Sequence, residues 1–85
     1  MLYPYLTLND STEIVYSEMQ KDRTVKVVVE TPDNNHGFNS ATCILPQREW
    51  SYSGYSPDDF ALIKLIVENT SRHILRFAKA EACSR

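Results

Sequence analysis

The side chains here that could do covalent or metal chemistry are His36, Cys43, His73 and Cys83. A thiol nucleophile needs a base beside it and a pocket that stabilises the developing anion. Cys43 with His36 or His73 is the available pairing, and nothing in the spacing fixes their proximity. Cys43 shares its side of a strand pattern with Ala41 and Leu45, where a cysteine serves as a small buried apolar residue. Zinc needs about four ligands with short local spacing, whereas these histidines and cysteines are scattered. Asp58 and Asp59 offer two carboxylates, but adjacent at a helix start they suit the positive end of the helix dipole. The glycines, Gly37 and Gly54, belong to no phosphate-binding loop. The expectation is no catalytic residue, no metal, no cofactor and a non-enzymatic protein; a small enzyme would require Cys43, His36 or His73 to converge.

Size and composition agree with a plain folded domain. The chain has 85 residues, 42% hydrophobic and 24% charged, close to soluble globular averages. So short a chain hides only roughly 60 to 65% of the surface its unfolded form exposes. Nine basic and eleven acidic side chains leave a net charge of -2, which provides no strong positive field for phosphate backbones. The opening Met1-Leu2-Tyr3-Pro4-Tyr5 lacks the basic and apolar regions of a secretory signal. The nearly apolar run from Phe60 to Val67 is far below the ~20 residues that span a bilayer. These features predict a cytoplasmic protein, not a membrane one, with Cys43 and Cys83 as thiols.

The first half of the chain reads in twos. Leu2, Pro4, Leu6 and Leu8 alternate with Tyr3, Tyr5 and Thr7, and Pro4 suits an edge strand. Asn9-Asp10-Ser11 reads as a turn. A weaker alternation runs from Glu13 to Met19, with Ile14 and Tyr16 together, and Lys21-Asp22 is a plausible hairpin tip. Thr24 to Thr31 places Val25, Val27 and Val29 on one side and is the clearest strand, because β-branched residues suit a pleated, half-buried surface. Pro32 to Gly37 reads as an exposed connection. A fourth strand runs from Phe38 to Leu45 and closes at Pro46. Residues 47–56, with Trp50, Tyr52 and Tyr55 in turn-like company, read as an aromatic loop. Short turns between successive strands favour an antiparallel meander.

Ser56-Pro57-Asp58-Asp59 opens a helix on agreeing signals: a serine cap, proline in the first turn and two acids behind it. The pattern predicts a helix over 57–82, with Asn69-Thr70-Ser71 as a possible kink or break. At 100° per residue, Phe60, Ile63, Val67, Thr70, Ile74, Phe77 and Ala78 form the stripe facing the sheet, with Glu68, Arg72, Arg76 and Lys79 opposite. The fold class expected is α+β: one domain over 1–85, with a four-stranded, mostly antiparallel meander over 1–46 and one long C-terminal helix on one face.

The opening "YPYLTLNDSTEIVYSE", then "VVVETPD", "ATCILP", "EW" and "GYSPDD" ahead of an apolar helix resemble a family of small bacterial proteins of uncharacterised activity. The resemblance covers most of the chain and implies a free-standing single-domain bacterial protein. It transfers no functional residue.

Function is read from surplus apolar surface. Leu65 projects into the polar side of the helix, and Leu62 and Ile66 flank the buried stripe. Two layers bury one stripe of a helix and one face of a sheet. The rest needs a cover: the aromatic loop, a second copy of the chain, or another protein. Tyr3, Tyr5, Tyr16, Val28, Phe38 and Ile44 raise the same question for the sheet, since one helix cannot bury them all. The leading expectation is an interaction protein, self-associating as a homodimer through Leu62, Leu65 and Ile66 with Trp50 and Tyr52 beside them. The alternative is a nucleic-acid-associated regulator using Arg72, Arg76 and Lys79, although the Glu68 to Arg72 spacing also fits a solvated ion-pair ladder.

Overall fold

The computed structural model describes residues 2–8, 11–33 and 37–83, without the side chains of Asp33 and Phe38. The strands are β1 (Leu2–Thr7), β2 (Glu13–Ser17), β3 (Val25–Asp33), β4 (Gly37–Leu45) and β5 (Glu49–Ser53); α1 (Pro57–Asn69) and α2 (Ser71–Cys83) follow. The sheet is an antiparallel meander in the order β1-β2-β3-β4-β5. The α+β class is as expected. Among the described residues the sheet has five strands rather than four, and two helices replace one.

The additional strand comes from the segment read as an aromatic loop. Glu49 to Ser53 pairs with β4, with Trp50 opposite Cys43 and Tyr52 opposite Ala41. A short turn precedes it, in which the Arg48 amide donates to the Ile44 carbonyl at 2.7 Å and Arg48 adopts φ 63°. β3 also runs past Thr31 into the stretch expected as a connection, pairing Pro32 with Phe38 and Asp33 with Gly37. His36 and Asn9-Asp10 lie outside the described residues. The tip at Lys21-Asp22 is a turn, and the Asp22 carboxylate accepts from the Thr24 amide and hydroxyl at 3.1 and 2.6 Å.

Alternation in β3 sets the inner face. Val25, Val27 and Val29 are fully buried with Ile14, Ala41, Cys43 and Leu45, and beneath the helices they meet Ile63, Val67, Ile74 and Ala78. Across the sheet, Tyr16 stands opposite Val27 and Tyr3 opposite Tyr16. The tyrosines expected among the uncovered sheet residues therefore lie on the helix side: Tyr16 is in the core, and Tyr3 and Tyr5 pack against it. The outer face carries Val15, Val28, Thr42 and Ile44, half-buried, and both described helices pack on the other face.

The helix does break at Thr70, which has φ -108° and ψ 8°. Its hydroxyl donates to the carbonyls of Ile66 and Val67 at 2.9 and 3.3 Å, and Ser71 Oγ donates to the Glu68 carbonyl at 3.0 Å. These side chains bond the turn behind them and bend the helix there. At the other end the Ser56 hydroxyl accepts from the Asp59 amide at 3.2 Å, the cap the sequence predicts.

Two aromatic clusters hold the helix pair across the sheet. Tyr52 stacks on Phe60 with ring centroids 3.8 Å apart, and Trp50 meets Phe60 edge-on at 5.4 Å. At the opposite edge, Tyr5 contacts Phe77 at 6.0 Å and Tyr16 at 6.3 Å. The Met19 amide adds a bond to the Ala78 carbonyl at 3.1 Å. The helices thus cross the sheet obliquely, α1 near β5 and α2 near β1 and β2.

Gly54 closes β5 at φ +91°, and a Cβ there would run into the Asn39 carboxamide. Gly54→Ala should cost about 1–3 kcal/mol, combining backbone strain with the clash. Adding Asn39→Ala should recover only the clash. Urea unfolding of both variants measures this, and an unchanged midpoint in Gly54→Ala would contradict the described geometry.

Candidate functional site

Of the residues chosen for chemistry, Cys43 is fully buried in the sheet core, whereas His73 and Cys83 are exposed on α2. Burial pushes the Cys43 thiol up to about 11, and the Glu68 carboxylate acts in the same direction. At neutral pH Cys43 is a neutral thiol, which is not the nucleophilic form. Asp58 and Asp59 occupy the first turn of α1 behind the Ser56 cap. Among the described residues, no group of three or more His, Cys, Asp or Glu side chains comes close enough to hold a metal. No described helix is long and apolar enough to cross a membrane.

The residues chosen for interaction divide between the two flanks of α1. Trp50 and Tyr52 rise from β5 against Phe60, and the Trp50 indole donates to Glu68 Oε2 at 3.0 Å. At 100° per residue Leu62 lies about 200° around the helix from Phe60, and Leu65 about 140°. The aromatic segment therefore leaves both leucines uncovered, Leu62 at 60% and Leu65 at 56% exposure. Tyr52 is 47% exposed, while Trp50 and Ile66 are half-buried. With Ala61, the two leucines form an apolar ridge on the outer side of α1.

Glu68 reaches toward β5 as well as lying four residues before Arg72. It is half-buried and receives the Trp50 indole, fixing β5 to α1. Arg72, Arg76 and Lys79 stand exposed on α2.

On the Leu62 flank the oblique path of the helices leaves a cleft of about 130 Å³. Its α1 wall is Asp59, Leu62, Ile63 and Ile66, and across from it lie Leu8, Thr12, Thr31, Asn39 and Tyr55. The floor is a chain of hydroxyls, Thr12 Oγ1 to Thr31 Oγ1 at 2.6 Å and Thr31 Oγ1 to the Tyr55 hydroxyl at 2.8 Å. Thr12 is 2% exposed. Nothing in the sequence pattern marks this site, because its residues come from five separate segments. The one available signal was Tyr55, an aromatic with a polar tip directly ahead of a helix start, since such a buried hydroxyl finds a partner.

No protein-family model, curated protein or solved structure matches the chain.

Two outcomes follow for Cys43. In the native protein a thiol-specific disulfide reagent should titrate Cys83 quickly and Cys43 only after denaturation; two fast thiols would contradict the buried position. The folded state also holds the Cys43 proton above the thiol's ordinary value of 9.0. The unfolded chain then binds fewer protons than the native one, so stability falls as pH rises from about 9 to about 11, by on the order of 2 kcal/mol. Tyr16, raised chiefly by burial and then by Glu81, acts in the same sense. Chemical denaturation of Cys43→Ala beside the parent chain isolates the thiol's part of that slope.

Proposed function

We propose that this chain is a non-enzymatic interaction module that self-associates, with the outer ridge of α1 at the contact. One observation carries the reading. Leu62 and Leu65 stand 60% and 56% exposed on the outer side of α1, beside the exposed Ala61, so an apolar ridge takes the place of charges there and is left to water unless something covers it.

A second copy is favoured over an unrelated partner because a two-fold contact needs only one self-complementary patch. Ala61, Leu62 and Leu65 meet that need: a small residue beside two long ones lets facing helices interdigitate. The ridge alone is smaller than a standard interface, so the association is expected to be weak, with dissociation in the micromolar range or above. The nucleic-acid reading rests on Arg72, Arg76 and Lys79. Three cations on a chain of net charge -2 supply little of the phosphate neutralisation that drives such binding.

Sedimentation of the parent chain and Leu65→Glu tests the proposal. The parent should gain mass with concentration into the high micromolar range, and the variant should remain a monomer with unchanged circular dichroism. If both run as monomers throughout, self-association is ruled out. A flat low-salt titration with DNA and RNA eliminates the nucleic-acid alternative.

A further inference from the structure

We infer that the cleft between α1 and the ends of β2, β3 and β4 is a binding site for one small neutral ring bearing a hydroxyl group, the chemistry of a phenol. The inference stands on the cleft's own geometry and goes beyond the self-association reading. Size sets the first limit. Ligand pockets for cofactors and drug-sized molecules enclose roughly 300–1,000 Å³, so a nucleotide or flavin does not fit in about 130 Å³. An apolar protein cavity of about 150 Å³ accepts a benzene molecule, and one six-membered ring matches the space here.

The lining sets the second limit. Leu8, Leu62, Ile63 and Ile66 offer apolar walls for the faces of a ring. Thr31, Tyr55 and Asn39 line the opposite side, where the Thr31 hydroxyl is hydrogen-bonded to those of Thr12 and Tyr55. The Thr31 hydroxyl, with one proton, two lone pairs and two partners, keeps one position for a ligand hydroxyl, which a bare hydrocarbon cannot use. Charge sets the third limit. The Asp59 carboxylate lines the same cleft and repels an anion, so a benzoate-like acid is disfavoured against the neutral phenol.

The walls are also fixed in place. Thr12, Thr31 and Tyr55 tie β2, β3 and the segment ahead of α1 into one hydrogen-bonded chain. Asn39 is held against Gly54, and Ile63 belongs to the core. Such a cleft is largely pre-formed, and a ligand pays little to order it.

Amide chemical shifts of the isotopically labelled chain, titrated in turn with phenol, benzene and sodium benzoate, test the site. Phenol should shift the amides of Thr12, Thr31, Tyr55, Leu62 and Ile66 saturably, with millimolar dissociation as befits so few ligand atoms. Benzene should move the same amides with about threefold to tenfold weaker affinity, the value of one net hydrogen bond, and benzoate should bind more weakly than phenol. Leu62→Trp, at an exposed position that tolerates a larger side chain, should fill the mouth and abolish the shifts. Leu65→Glu should leave them intact: Leu62 borders both the cleft and the ridge, and a variant unable to pair shows that binding needs only the cleft of one chain. Absence of saturable shifts with phenol, equal affinity for benzene, preference for benzoate, or loss of binding in Leu65→Glu would each overturn the inference.

Discussion

The register of β3 against its neighbours is the constraint on which the rest of the molecule depends. Val27 stands opposite Tyr16 on one side and Cys43 on the other, and Cys43 stands opposite Trp50. That row decides which face of every strand receives the helices. A slip of one residue would expose Val25, Val27 and Val29 and turn Lys26, Val28 and Glu30 inward. Each buried valine contributes roughly 1.5–3 kcal/mol, so losing the three together would consume most of the ~5–15 kcal/mol that holds a typical domain folded. The unpaired inward charges would add to that loss. One register survives, and with it one inner face.

With the sheet's face fixed, the helix pair has to bridge it from edge to edge. Its path is set by short-range chemistry at Thr70, whose hydroxyl bonds the carbonyls of Ile66 and Val67, and by aromatic contacts at the two ends. Phe60 is held by Trp50 and Tyr52 over β5, and Phe77 meets Tyr5 over β1. Neither helix lies along the sheet's midline. The oblique path leaves one inner corner open, and the 13 residues of α1 show an apolar ridge that the sheet does not reach.

Much of this architecture was legible because local chemistry and burial agree. The valine alternation of β3, the run from Ala41 to Leu45 and the capped start at Ser56 each carry several signals that point the same way. β5 was missed for a physical reason. Glu49-Trp50-Ser51-Tyr52-Ser53 does alternate, but it is only five residues long and sits between Pro46 and Gly54, so turn composition outweighs a period of two. The tyrosines were misplaced for another reason. Alternation tells which residues share a face, not which face is inside; that followed only from the pairing of Tyr16 with Val27. Glu68 looked like surface charge because helical spacing shows Arg72 four residues on, while the Trp50 indole across the sheet is invisible to any window on the chain. The cleft was illegible for the same cause, as its lining is assembled from positions between Leu8 and Ile66.

A cleft in so small a domain ordinarily collapses, because apolar side chains close a gap whenever the backbone allows it. Here the backbone does not allow it. α1 cannot sink toward β2, since Ser56 and Pro57 start the helix just past Tyr55, whose hydroxyl is hydrogen-bonded to Thr31. Nor can it roll, since a rotation that buried Leu62 would pull Phe60 off Tyr52 and carry Glu68 away from the Trp50 indole. The exposure of Leu62 is therefore a consequence of the contacts on the far side of its own helix. The stacked rings and the part-buried indole bond of β5 hold the ridge and the cleft open together, so the strand that the sequence disguised as a loop sets how α1 sits on the sheet.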